Sequence, residues 1–494
     1  MKLVWFKRDL RVHDHAPLLR AASQGEVVCL FVYEDELLQA PDFDPSHGVF
    51  LEQSLRELHR NLERRGVPLV CRRGSLPQVF EELHQQWPFT SLWSHQETGN
   101  QVTYHRDLRV GRWCRQRGID WHELPQSGVV RRLKSRDGWS RRWEERMRAG
   151  LLPAPERLQG PALSGPVLGL AELGLPPSAK PEAQTGGESA ARECLHSFLS
   201  RRGVNYAKDL SSPHTGWQGC SRLSPYLAFG NISLREVYQR TLKAALEHRA
   251  RRSDPRWGRS LQAFGSRLHW RCHFMQKLED QPDLEFHNLA RSYDGLREKE
   301  FRDDYFQAWC QGQTGYPLVD ACMRALLATG WINFRMRAML MSFASYHLWL
   351  HWRPTALHLA RHFLDFEAGI HYPQAQMQSG TTGINALRIY NPIKQVYDQD
   401  PQGLFLRRWL PELARVPLAY LAEPHKLPPG QQHLRQDYPD PLVDHQRAMT
   451  LARTRMAAVR GQHPEESRQI LQRHGSRKQG QLFDEVDDWD GAPA

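Results

Sequence analysis

The period of the hydrophobic pattern changes along this chain. Up to about residue 95, short apolar runs alternate with amphipathic stretches. KLVWF (2–6), VVCLFVY (27–33), PLVCRRG (68–74) and SLWSH (91–95) are rich in β-branched and aromatic residues and predict strands. Between them, 16–22, 49–65 and 78–86 carry helical spacing. This alternation predicts a parallel sheet with helices on both faces. From about residue 190 the period is helical. Segments 190–201, 234–250, 259–278, 303–311, 317–329, 333–349 and 353–363 predict a mostly α domain with short connections. The organisation expected is an α/β, Rossmann-like parallel-sheet domain over 1–130, a linker over 131–189 and a large all-α domain over 190–460. A polar, disordered tail is expected over 461–494. The linker holds seven prolines between Pro153 and Pro181, which predicts an extended wrap joining the two domains. The tail ends in the acidic FDEVDDWDGAPA.

One helical pair is unusual. Leu318, Val319, Cys322, Met323, Leu326 and Leu327 recur at helical spacing, Gly330 suits the position after the helix end, and Asn333 suits a cap for the next. That next helix carries Arg335 and Arg337 among Met336, Met339, Leu340 and Met341. Buried arginines need anions. Asp365 or Glu367 could supply them, and so could a phosphate-bearing ligand; composition does not choose between the two.

The chain has 494 residues and a formal net charge of +11, from 66 basic against 55 acidic residues. A basic surplus favours polyanions such as nucleic acid, although a generic arginine-rich surface gives the same figure. No apolar run reaches membrane-spanning length. The chain opens directly on a strand-like segment, so a soluble protein that is not secreted is expected, and a cytoplasmic location and a monomer are expected with it. Its eight cysteines form no CxxC pair and suggest buried thiols in a reducing compartment. No metal-ligand pattern is read. Ligand crevices in parallel sheets lie beyond the carboxyl ends of the strands. RDLRVHD (8–14) and HQETGN (95–100) are therefore either crevice borders or solvated turns, and no phosphate-loop motif accompanies them.

Several blocks carry a resemblance. They are KLVWFKRDLRVHDHAPL (2–18), Tyr206 followed by CSRLSPYLAFGNIS (220–233), GQTGYPLVDACMRALLATGWINFRMR (312–337), LRIYNPIKQ (387–395) and FLRRWLPEL (405–413). In this order they resemble the photolyase/cryptochrome family of flavoproteins. The resemblance implies FAD in the helical domain and an antenna chromophore of unspecified identity, or an empty crevice, in the α/β domain. It implies FAD contacts from Tyr206, Cys220, Ser221, Arg222, Leu223, Ser224, Arg271, Arg337, Asp365 and Glu367. Arg337 is expected to pair with Asp365. Electron transfer to the flavin is implied for Trp309, Trp352 and, in place of a tryptophan, Tyr372, with His371 as a base for the phenol. Arg267, Trp270, Phe334, Arg335 and Gln395 match DNA-side positions. Arg388, Lys394, Arg407 and Arg408 could follow phosphates.

The departures bear on function. Arg267 stands where a lesion-binding glutamate is common, and Cys220 where a threonine is common. The second aromatic wall, the asparagine beside the flavin and the histidine pair of (6-4) photolyases have no counterparts. No cysteine after Cys322 could hold the iron–sulfur cluster of one branch. The implied function is light-driven repair of UV lesions in DNA by a deoxyribodipyrimidine photolyase. The alternative is a cryptochrome-like blue-light receptor without repair activity.

Overall fold

The structure, a computed structural model, describes residues 1–163 and 165–474. Strands β1 (Lys2–Phe6), β2 (Val27–Glu34), β3 (Leu69–Gly74), β4 (Ser91–His95) and β5 (Asp120–Leu124) form one parallel sheet in the order β3-β2-β1-β4-β5. Val4 lies opposite Cys29 on one side and Trp93 on the other. Both faces of the sheet are covered, so the central strands are continuous apolar runs; every residue of β2 is buried. The polar edge strand β5 and the helix Gln101–Arg117 were not legible from periodicity. That helix is strongly polar, and its buried Arg106 sits among Glu34, Glu97 and Asp107.

The turn after β1 is braced rather than solvated. The Asp9 carboxylate accepts hydrogen bonds from the Lys7 amide at 2.7 Å, His15 Nε2 at 2.9 Å and His95 Nδ1 at 2.7 Å. Residues after 150 wrap back over the sheet domain as an extended chain. The Val27 amide donates to Gln159 O at 2.8 Å, the Leu158 amide to Arg65 O at 2.7 Å, and Lys180 Nζ reaches Asp44 at 2.6 Å.

The second half is helical. Its expected helices are present, including Leu234–Ala250, Arg256–Asp280, Asp303–Gln311, Pro317–Thr329, Phe334–Ser342 and Trp352–His362. Gly330 closes one of them at φ +73°, a left-handed position suited to glycine. Asn333 occupies the next N-cap, but its side chain makes no capping bond; its amide donates to Leu210 O at 3.0 Å instead. A π-helical turn, Phe343–His347, extends that helix. The helix Ala368–Ser379 was not anticipated. It is buried on nearly every side and contains Pro373, so neither amphipathic spacing nor an uninterrupted helix former announces it. Residues 464–474 correct the expectation of a tail disordered from 461. They form a helix, and Glu466 accepts the Arg291 amide at 2.6 Å. The acidic stretch itself lies outside the described residues. Among the described residues no helix is long and apolar enough to cross a membrane.

The two halves meet through arginines on backbone carbonyls. Arg8 donates to Ala228 O and Phe366 O, both at 2.7 Å, and Arg11 to Gly230 O at 2.9 Å. Gly230 has φ +69°, and a Cβ there would lie 2.2 Å from Arg8 O. A Gly230→Ala variant is therefore expected to lose about 2–4 kcal/mol, through backbone strain and overpacking at once. Thermal denaturation would show this as a lowered midpoint, and an unchanged midpoint would mean the interface yields freely.

Candidate functional site

A cavity of about 300 Å³ opens into the helical half. Tyr206 enters it from a short helical turn, and Cys220 to Ser224 from the loop that follows. Arg267, Trp270, Arg271 and Phe274 come from Arg256–Asp280. Trp331, Asn333, Phe334 and Arg337 come from the turn and helix after Gly330. Asp365 and Glu367 come from the next loop, and His371, Gln374, Ala375 and Gln378 from Ala368–Ser379. All ten residues expected to contact the cofactor thus line one space.

Its charges are arranged in three parts. On one wall, Arg337 grips Asp365 with both guanidinium arms, Nη1 at 3.0 Å and Nη2 at 2.7 Å, and stacks on Phe363 at 4.1 Å. Burial pushes the Asp365 carboxyl up, but Arg337 and a hydrogen bond from Ser224 outweigh it and hold the group below its ordinary value. Beside it, Arg271 pairs with Glu367 and donates to Leu227 O. The third part is different in kind. Arg222 is buried with a left-handed backbone, φ +60°. Its guanidinium lies between the rings of Trp217 and Trp331, at 3.9 and 4.2 Å, and Nε donates to the Gln184 amide oxygen at 3.0 Å. Its ring and amide partners carry no negative charge, and desolvation lowers its pKa to about 10. A buried cation whose direct contacts are uncharged suits a phosphate.

Buried polar atoms without partners point the same way. Asn333 Oδ1, Gln374 Oε1 and both amide atoms of Gln378 face no protein hydrogen-bond partner. Leaving such atoms unpaired costs about 1–3 kcal/mol each, so they suit a ligand with a polar edge. His371 adds one more group. Its Nε2 bonds to Ala356 O at 2.7 Å, which requires the N–H there and leaves Nδ1 as the acceptor. Burial lowers its pKa to about 4, so the ring is neutral at pH 7. His371, Gln374 and Gln378 fall at i, i+3 and i+7 on one helical face. That spacing was the signal available in the sequence, and it was lost with the unrecognised helix.

The residues expected to carry electrons are placed otherwise. Trp309, Trp352 and Tyr372 are each 0% exposed, and none lines the cavity. Trp352 donates to Asn288 Oδ1 at 2.7 Å. Tyr372 packs on Phe366, which does line the cavity, with ring centroids 5.9 Å apart. Its surroundings do not suit oxidation. The Arg353 guanidinium lies 4.8 Å from the ring centroid, burial raises the phenol pKa, and the hydroxyl has no hydrogen-bond acceptor. His371 keeps an unprotonated Nδ1, but the Tyr372 hydroxyl makes no hydrogen bond to it. Phenol oxidation without a proton acceptor, beside a fixed cation, is unfavourable. Tyr372→Phe is therefore expected to leave the rate of flavin photoreduction within about twofold of the parent protein. A loss of tenfold or more in transient absorption would restore the tyrosine as a donor.

The expected DNA-side residues divide. Arg267, Trp270 and Phe334 stand at the cavity, and Phe334 is 42% exposed. Arg335 does not line it. Gln395 departs from the expectation of an open DNA-side position: it is 8% exposed within Pro392–Gln399, and its amide oxygen is buried without a hydrogen-bond partner. Among the arginines expected to follow phosphates, Arg407 braces a loop through Gln402 O and Val416 O, both at 3.1 Å. Arg408 pairs with Glu182 at 2.7 Å.

A second cavity, of about 160 Å³, lies beyond the carboxyl ends of β1 and β2. Lys7 and Arg8 border it after β1, and Glu97, Gly99 and Asn100 after β4, as the loops 8–14 and 95–100 suggested. Burial lifts the Glu34 carboxyl there to about 7 despite Arg106. Phe366 lines both cavities and separates them.

Comparison with known proteins agrees with this geometry. Residues 2–137 match the model of the DNA photolyase family, and residues 264–458 match the FAD binding domain of DNA photolyase. The deoxyribodipyrimidine photo-lyase of Streptomyces griseus is 32% identical over 483 residues, covering 93% of this chain and 99% of that protein. The cryptochrome DASH of Gloeobacter violaceus is 29% identical, covering 90% and 93%. The crystal structure of a bacterial class III photolyase from Agrobacterium tumefaciens superposes with a TM-score of 0.82 at 26% identity, covering 93% of this chain and 98% of that one. A parallel-sheet domain, a helical FAD-binding domain with its cavity, and relatives matched along nearly their whole length together place this chain in the photolyase/cryptochrome family.

Proposed function

We propose that this chain is a light-dependent DNA repair flavoprotein acting on pyrimidine dimers. FAD would be held by Arg222 at its diphosphate and by the Arg337–Asp365 wall beside the ring system, with Asn333 and Gln378 completing its polar contacts. When bound, FAD supplies the light-excited electron; the protein supplies position, charge and dryness. Arg271 and Glu367 would fix the charge balance of the inner wall, and the neutral His371 would offer an acceptor without adding positive charge.

The observation that carries the reading is the mouth of the cavity. Trp270 and the exposed Phe334 present aromatic rings where an extruded base can stack, in the same space whose inner wall is Arg337 and Asp365. Base–aromatic stacking is worth roughly 1–3 kcal/mol per base. Extrusion is cheapest for a lesion already weakly paired, which favours damaged over intact sites. Competition binding in the dark tests it: a dimer-bearing oligonucleotide should displace an undamaged one of the same sequence, and equal competition would argue against lesion recognition. A second reading, a blue-light receptor without repair, is favoured by the match to a cryptochrome DASH and predicts that equal competition. The second cavity, behind Phe366, suits an antenna chromophore of unspecified identity.

A further inference from the structure

We infer that Arg267 makes the cavity mouth select a lesion whose ring presents an unprotonated N3 beside its O2 carbonyl. The inference rests on the repair reading above and names the substrate class for that site.

Arg267 and Trp270 are one turn apart on Arg256–Asp280, and both line the cavity. The guanidinium carbon lies 5.3 Å from the Trp270 ring centroid and 5.9 Å from that of Phe334. The buried Tyr206 hydroxyl is a further neighbour, whose pKa the guanidinium lowers against the larger rise from burial. These contacts are rings and a phenol, none of them an acid, which leaves its N–H groups for a base stacked on Trp270.

A guanidinium only donates. A thymine ring in a cyclobutane dimer offers O2 and O4 as acceptors, but its N3–H is a donor between them. Facing Arg267, that N–H meets another donor, and a buried donor without an acceptor is penalised. A cytosine ring in such a dimer offers O2 and an unprotonated N3 side by side, which matches two parallel N–H groups. The pyrimidone ring of a (6-4) product offers the same pair. Good bidentate pairs discriminate between bases strongly enough to give about a tenfold preference.

The test is dark binding by flavin-loaded protein at one fixed salt concentration. The probes are fluorescent oligonucleotides carrying a thymine–thymine cyclobutane dimer, a freshly made cytosine-containing dimer kept cold against deamination, a (6-4) product, or no lesion. The expected result is that the cytosine dimer or the (6-4) product binds about tenfold tighter than the thymine dimer. Which of the two does so identifies the source of the acceptor pair. Arg267→Glu, which accepts from N3–H, should reverse the order, and Arg267→Gln should level it. Flavin absorbance confirms that each variant remains loaded. A thymine dimer bound as tightly as both others, or a preference unmoved by Arg267→Glu, overturns the inference while leaving lesion recognition intact. Equal affinity for all four probes overturns lesion recognition itself, and the inference with it.

Discussion

Replacing Asp365 with alanine is expected to give a folded protein that purifies without bound flavin. Asp365 is almost fully buried and receives both arms of Arg337 together with a hydrogen bond from Ser224. Its removal leaves a guanidinium facing the cavity wall without its carboxylate. Breaking a buried pair from one side costs about 3–5 kcal/mol. Part of that cost falls on the fold and part on the site. If about 3 kcal/mol or more of it falls on the site, flavin affinity drops by roughly a hundredfold or more, because each 1.4 kcal/mol is tenfold. Absorbance of flavin per mole of purified protein reads the loss, and circular dichroism separates it from unfolding. Flavin retained at parental stoichiometry would mean that the pair only supports the fold. Asp365→Asn keeps the shape and loses the charge, so it should fall between. The folded carboxyl is held below its ordinary value, so the stabilisation is present above about pH 3.8 and is lost as pH falls through the lower folded value. At neutral pH the pair is intact.

The second large effect concerns Trp270→Ala. Loss of the stacking platform should weaken binding to a dimer-bearing oligonucleotide by roughly 10- to 100-fold, from a stacking contribution of about 1–3 kcal/mol per base. Undamaged DNA makes mainly phosphate contacts, so its affinity should change by less than about threefold. Flavin content should remain, because the inner wall stays in place. Anisotropy titrations of both oligonucleotides at the same salt concentration compare the two changes directly. A parallel loss for damaged and undamaged DNA would mean that Trp270 supports the surface and does not read lesions.

Much of this arrangement was legible beforehand, for physical reasons that can be named. The strands β1 and β2 are buried on both faces, so their composition alone marks them. The helix Leu234–Ala250 buries one face, and Pro317–Thr329, although buried on most sides, shows helical apolar spacing and a clear end at Gly330. Arg337 was conspicuous because a charge in an apolar run demands a partner, and Asp365 is that partner. What stayed hidden had opposite causes. Ala368–Ser379 is buried all round and contains Pro373, so no face stood out, and the cavity stripe of His371, Gln374 and Gln378 was hidden with it. Gln395 shows a limit of positional resemblance: a matching motif did not guarantee that its side chain reaches the surface. Tyr372 puts another to the test, since a guanidinium lies over its ring and its hydroxyl makes no hydrogen bond.

The most direct test of a repair role uses the protein with its flavin reduced and an oligonucleotide carrying a single pyrimidine dimer. Samples are held in blue light or in darkness, and restored strands are counted by chromatography. Repair predicts restoration in light only, with more than one dimer reversed per protein molecule. Fully loaded, lesion-binding protein that restores no strand in light would contradict it.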